Sequence, residues 1–161
     1  MDNQTVLERL KSRFGDASLE SKEFRGELTV IIPKDRIVEV CSFLKSDPEL
    51  SYEFLSDLCG IDMYAQEKRF GVIYNVLSLK NKHRLRVKTF VEEDDPKLKT
   101  VTGIWGTANA HERETFDMFG IVFEGHPDLR RMYMPEDFDY FPLRKDFPLM
   151  GIPGSLPLPK K

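Results

Sequence analysis

Residues 69–93 run "RFGVIYNVLSLKNKHRLRVKTFVEE". In the first half Phe70, Val72, Tyr74 and Val76 lie on one side, while Ile73, Leu77 and Leu79 bring apolar atoms to the other. A strand that is apolar on both faces belongs inside a sheet. In the second half Leu85, Val87 and Val91 face one way, and Arg84, Arg86 and Lys88 the other. Residues 81–83 leave room only for a tight connection, so the two halves predict an antiparallel hairpin. The basic row reads as a solvated sheet face, since antiparallel sheets commonly leave one face to water.

Upstream of this hairpin the periodicity changes twice. Val6, Leu7, Leu10 and Phe14 share one helical face and predict a helix over residues 3–14. In "GELTVII", residues 26–32, Leu28, Val30 and Ile32 alternate as in a strand. Pro33 suits a helix entry. Ile37, Val40, Cys41 and Leu44 then repeat at i, i+3, i+4, i+7, and Asp47 with Pro48 ends that helix. "YEFLSDLCGIDMY", residues 52–64, is expected to be a strand followed by a turn around Gly60. The two strands flanking the second helix are expected to be parallel through a right-handed crossover.

Downstream, "EEDDP" is an acidic turn, and "LKTVTGIWG", residues 98–106, is expected to be a short helix with Trp105 as a core anchor. Residues 108–119 read as a further helix. From His126 the texture changes, for seven of the ten prolines lie in the last 36 residues. Periodicity vanishes there, yet Tyr133, Phe138, Tyr140, Phe141 and Phe147 remain. Such an arm either orders against another surface or wraps back over its own domain; composition favours neither. The expectation is a single α+β domain. It has a mixed sheet ending in an antiparallel hairpin, helices packed on it, and an extended Pro-rich C-terminal arm. Residues 1–125 form the core and 126–161 the partner-docking arm.

The bulk numbers bound the function. A chain of 161 residues fits one domain, and a net charge of −3 with both signs spread out lacks the basic footprint of a nucleic-acid binder. No apolar run is long enough to cross a bilayer. The N-terminus lacks the cationic start and apolar block of a secretory signal, so the chain is expected to be made and kept inside the cell. No mitochondrial transit segment is visible, which favours a bacterial or archaeal source. Cys41 and Cys59 are expected to be two buried structural thiols, and with no C-x-x-C there is no ligand set for a cluster or zinc ribbon.

The densest chemistry lies in "HERETFDMFG", residues 111–120. On a helix Ala108, Glu112, Phe116 and Phe119 share a face, and Arg113 and Asp117 are spaced as an i, i+4 ion pair. Glu114 lies on the far side, near His111 and Met118. A carboxylate on an aromatic stripe needs a partner or its pKa rises, so Glu112 is expected to pair with an arginine of its own chain or another, with Arg130 and Arg131 at hand. A metal-dependent hydrolase using His83, His111, His126 and nearby acids is the rival reading. It is weak: sequence neighbours such as His111 and Glu112 point roughly 100° apart on a helix and do not readily share one ion. The nucleophile-elbow, phosphate-loop, dinucleotide and two-histidine zinc motifs are absent from the sequence.

Three pieces carry a resemblance: Glu112 to Ile121 as E-R-E-x-F-D-M-F-G-I, Gly125 to Arg131 as G-H-P-D-L-R-R, and Pro142 to Pro148 as P-L-R-K-D-F-P. In this order and spacing they resemble the C-type subunit of the proton-pumping NADH–quinone oxidoreductase, respiratory complex I. "VCSFLKSDPELSYEFLSDLCGID" is similar to the family's second helix and following strand. The family usually has Gly-His before P-L-R-K-D, where this chain has Tyr140 and Phe141, so no polar role carries over to that position. The resemblance implies a structural subunit of the peripheral arm. It would hold neither FMN nor iron–sulfur clusters, which sit in partner subunits, and would pack beside the quinone-site subunit and cluster-bearing neighbours. Membrane association at the cytoplasmic side of the inner membrane would come only through the complex. Glu112, Arg113, Glu114, Phe116, Asp117, Phe119, His126, Arg130, Arg131, Arg144, Lys145 and Asp146 are then expected to serve the contact between subunits, with no catalytic, cofactor-binding or metal residue. A similar scaffold in a membrane-bound hydrogenase or a dehydrogenase for another donor is the alternative.

Overall fold

The computed structural model describes residues 1–15, 19–64 and 66–152. Helix α1 (Asn3–Phe14) starts where the Asp2 carboxylate accepts the Thr5 amide. A hairpin follows, β1 (Glu20–Phe24) and β2 (Glu27–Ile31), then a single 3-10 turn into α2 (Ile37–Ser46). Next come β3 (Phe54–Asp62), β4 (Phe70–Ser78), β5 (His83–Val91) and β6 (Lys97–Lys99). Helix α3 (Ala108–Phe119) and β7 (Val122–Glu124) complete the regular elements.

Five strands form a mixed sheet in the order β1-β2-β5-β4-β3, and β6 pairs with β7 in a small parallel sheet. The hairpin of residues 69–93 forms the middle of the large sheet, with Tyr74 opposite Val87 and Val76 opposite Leu85. One face presents Leu58, Val72, Tyr74, Leu85, Val87 and Val30, all buried, to the core shared with the helices. α3 packs over β3, and Phe14 of α1 meets Phe43 of α2 edge to face at 5.4 Å. The opposite face carries Arg84, Arg86 and Lys88, and Arg86 pairs with Glu27 at 2.9 Å. That is the solvated row expected from the alternation.

Several expectations need correction. β3 runs straight through Gly60 rather than turning there, because the residue is needed for a close approach. A Cβ at Gly60 would stand 2.5 Å from the Phe119 ring, so the missing side chain lets α3 settle on the strand. Residues 98–106 form β6 and a chain of turns, not a helix. Trp105 is nonetheless buried there and donates from Nε1 to the Tyr52 carbonyl at 3.1 Å. β2 and β3 do run in the same direction within one sheet, as expected, but they are not neighbours: β2 pairs in parallel with β5, and β3 lies at the far edge beyond β4. Cys41 is buried as expected, whereas Cys59, on that edge strand, is only half-buried.

Beyond β7 the described residues contain neither helix nor strand. They fold back over α3 and the end of the sheet. The last nine residues of the expected arm, 153–161, lie outside the described residues.

A candidate docking site: the charged helix and the segment that folds over it

α3 is held at both ends. Near its start, the Thr107 hydroxyl donates to the Leu55 carbonyl of β3. At its C-terminus Gly120 adopts φ +77°, and its amide caps the Phe116 carbonyl at 2.8 Å. Only glycine takes this left-handed position without steric cost. It also leaves space, for a Cβ would stand 2.6 Å from an Arg144 nitrogen and 2.7 Å from the Phe141 ring.

Asp117 organises the returning segment. Its Oδ2 accepts three consecutive amides, Met132, Tyr133 and Met134, at 2.9, 2.7 and 3.1 Å, and its Oδ1 accepts Arg131 at 2.7 Å. Burial alone would push this carboxyl up. The three amides and the guanidinium outweigh it and hold the group below its ordinary value. Arg131 also donates to the carbonyls of Asp117 and Tyr140 and lies over the rings of Phe138 and Phe141.

A second anchor lies at the end of β3 and β4. Asp62 accepts Arg69 at two points, 3.1 and 2.9 Å, together with the amides of Tyr64 and Lys145 at 2.9 and 2.8 Å. Burial opposes ionisation, but these donors prevail and hold the carboxyl at about 2. The buried Arg69 is shared with Glu93 and with Asp146. Its own pKa is raised, first by the Asp62 hydrogen bond and then by Asp146. Residues 144–146 are therefore fastened to the sheet by a backbone amide and an ion pair.

Glu112 sits in the middle of α3, fully buried. Its partners are the Val101 amide at 2.8 Å and the Thr100 hydroxyl, both just beyond β6. His126 Nε2 stands 3.9 Å away and donates instead to the Asn109 carbonyl at 3.1 Å. No arginine reaches Glu112 among the described residues, so the expected pairing does not form within the chain. Desolvation pushes the carboxyl up to about 7, which the two hydrogen bonds only partly offset.

The remaining expected residues divide. Arg113 does not pair with Asp117; it donates to the carbonyls of Arg130 and Arg131 at 3.2 and 3.3 Å, and Arg131 takes its place at Asp117. Arg130 makes an exposed local pair with Asp128 at 2.7 Å. Phe119 is buried against Gly60, while Phe116 and Glu114 are half-buried. Lys145 contributes its backbone amide, and Asp146 binds Arg69. Arg144 donates from Nε to the Phe119 carbonyl at 2.7 Å and lies over the rings of Phe70 and Phe141. The helix, the returning segment and residues 142–146 thus meet as one site. Asp62 and Arg69 escaped sequence reading; their one visible signal is the placement of opposite charges at the facing ends of two apolar strands. Among the described residues no group of His, Cys, Asp and Glu is arranged to hold a metal ion. His83 is occupied by Tyr52 and Asn3.

Comparison with known proteins fits this geometry. Residues 30–153 match the family described as the respiratory-chain NADH dehydrogenase, 30 Kd subunit. The chain is 53% identical over 149 residues to the C-type subunit of NADH-quinone oxidoreductase from Roseiflexus sp. (strain RS-1), covering 92% of this chain and 86% of that one. It is 47% identical over 150 residues to the counterpart from Geotalea uraniireducens (strain Rf4), covering 93% and 90%. Among solved structures it superposes on the trypsin-resistant fragment (1-134) of Nqo5 with a TM-score of 0.69 and 37% identity. That match covers 80% of this chain and all of the fragment. A chain of the archaeal membrane-bound sulfane sulfur reductase shares the fold at a TM-score of 0.75 and 22% identity, over 91% and 85% of the two chains. The α+β chain with its charged helix therefore belongs to the 30 Kd subunit family of the respiratory-chain NADH dehydrogenase, as a subunit of NADH–quinone oxidoreductase.

Proposed function

We propose that this chain is a cofactor-free structural subunit in the peripheral arm of a proton-translocating NADH–quinone oxidoreductase. Electrons pass from NADH through FMN and iron–sulfur centres held in other subunits to quinone. This chain supplies shape and complementary charge to the quinone-site subunit and the cluster-bearing neighbours. The complex brings it to the cytoplasmic face of the inner membrane; no helix among the described residues is long and apolar enough to cross a bilayer.

One observation carries this reading. The returning segment is anchored by Asp117 and Asp62, yet it turns Tyr133, Tyr140, Leu143, Leu149 and Met150 outward, the last two almost wholly exposed. Apolar side chains gathered on one such segment mark a surface for a protein partner. The buried carboxylates of the site are occupied by donors of the chain itself, so the polar chemistry serves structure.

The test uses the assembled complex. Replacing Leu149 and Met150 together by aspartate is expected to lower co-purification of this chain with the flavin-bearing subunits, and quinone reductase activity in proportion. The purified full-length chain is expected to carry neither flavin absorbance nor iron. Full assembly with lost turnover, or a prosthetic group on the isolated chain, would overturn the reading.

A further inference from the structure

The guanidinium groups around the returning segment are not equally satisfied. Arg131 has Asp117, Arg130 has Asp128, and Arg69 has Asp62, Glu93 and Asp146. Arg144 differs. It is half-buried, its Nε is committed to the Phe119 carbonyl, and its Cζ lies 4.7 and 4.4 Å from the ring centroids of Phe70 and Phe141. Among the described residues no carboxylate forms an ion pair with it, because Asp62, Glu93 and Asp146 all bind Arg69 instead. Burial, and then the nearby Arg69, disfavour its charge, which Asp146, Glu93 and Asp62 only partly restore. A cation is thus partly desolvated, fixed in orientation by a carbonyl and two rings, and left with its terminal nitrogens unspent.

We propose that Arg144 is the anchor of a contact between subunits and receives one aspartate or glutamate side chain from a neighbour in the oxidoreductase. The inference rests on the structural-subunit reading and names the chemistry of the partner. The planar fork of arginine matches a carboxylate through two parallel hydrogen bonds. The three carboxylates of the cluster are engaged by Arg69, so the terminal nitrogens of Arg144 remain for a carboxylate brought from outside. The segment suits a protein partner, for Leu143 next to Arg144 in the chain, and Tyr140, Leu149 and Met150 on the same segment, are exposed apolar side chains. A partly desolvated arginine stacked on aromatic rings, on a segment with exposed apolar side chains, has the make-up of an interface hot spot. Gly120 belongs to the same device, since any side chain at this position would displace the guanidinium.

The experiment purifies the complex through a tag on another subunit and measures how much of this chain is retained, alongside the thermal midpoint of the isolated full-length chain. Arg144→Met is expected to lower retention by about tenfold or more, as for truncation of a desolvated charged pair. The isolated variant chain should melt no lower than wild type. Arg144→Glu should be rescued by an acid-to-lysine or acid-to-arginine change in a neighbouring subunit, selected as a suppressor of lost NADH–quinone reductase activity. Undiminished retention of Arg144→Met would overturn the proposal, as would suppressors confined to this chain. A loss of retention matched by a lower melting point would assign Arg144 to internal stability and overturn it as well. If the wild-type chain itself fails to co-purify, the structural-subunit reading has failed, and this inference with it.

Discussion

Two carboxyl groups five residues apart on α3 are both closed to solvent and have opposite fates. Asp117 and Glu112 are both fully buried. Asp117, facing the returning segment, receives three amides and a guanidinium and stays ionised. Glu112, facing the small β6–β7 sheet, receives one amide and one hydroxyl, and its pKa rises to about 7. Neither group meets solvent, but Glu112 lies deeper in the protein, so it carries the larger desolvation cost and has the fewer donors to offset it. A carboxylate that must clamp a chain segment is given charge-assisted bonds. One that merely bridges a helix and a turn can exist as the neutral acid.

The contrast can be broken most severely at Asp117. Asp117→Ala leaves Arg131 and three amides without their acceptor, and should cost about 3–5 kcal/mol in chemical unfolding. Limited proteolysis should then cut within residues 126–152 well before the core. The next effect sharpens the comparison through pH. Glu112 binds its proton more tightly in the folded chain than in the unfolded one. Stability from this group is present at low pH and falls as pH climbs from about 4.5 to about 7, by up to about 3 kcal/mol. Glu112→Gln should flatten that slope, whereas Asp117→Asn should leave it unchanged. The depressed Asp117 acts in the opposite sense: its contribution is present above its ordinary value and is lost as pH falls through its lowered one.

Two smaller tests follow. Gly60→Ala puts a methyl group into the Phe119 ring and should lift α3 from β3, at about 1–3 kcal/mol in thermal unfolding. Arg113→Ala removes hydrogen bonds to two backbone carbonyls that water can replace. It should cost less than about 1 kcal/mol, which a denaturant midpoint would show.

Much of the core was legible because periodicity encodes burial. The helix over residues 3–14, the hairpin of residues 69–93 and the helix over 108–119 all follow from which faces are apolar. β1 was not legible: "ESKEF" is exposed throughout, so it carries no alternation to read. β6 and β7 have three residues each and pair across α3, and nothing local announces such a contact. Gly60 resembled a turn signal because a sequence does not show what approaches a missing side chain. At the site, residue types were readable and partners were not. Glu112 needed donors, but a backbone amide and a threonine served in place of the expected arginine. Arg113 and Asp117 have ideal spacing, yet a guanidinium brought in by a proline-rich segment displaced that local pair.

The triple amide bond to Asp117 has a consequence for assembly. The segment 132–134 is tethered to α3 by a short stretch of its own chain, so the clamp closes as an intramolecular step at high effective concentration. Its ordering entropy is spent during folding. Any surface that later meets Leu143, Leu149 and Met150 encounters a backbone fixed by Asp117 and by the Lys145–Asp62 bond. Rigid-body docking of that kind reserves the binding free energy for affinity.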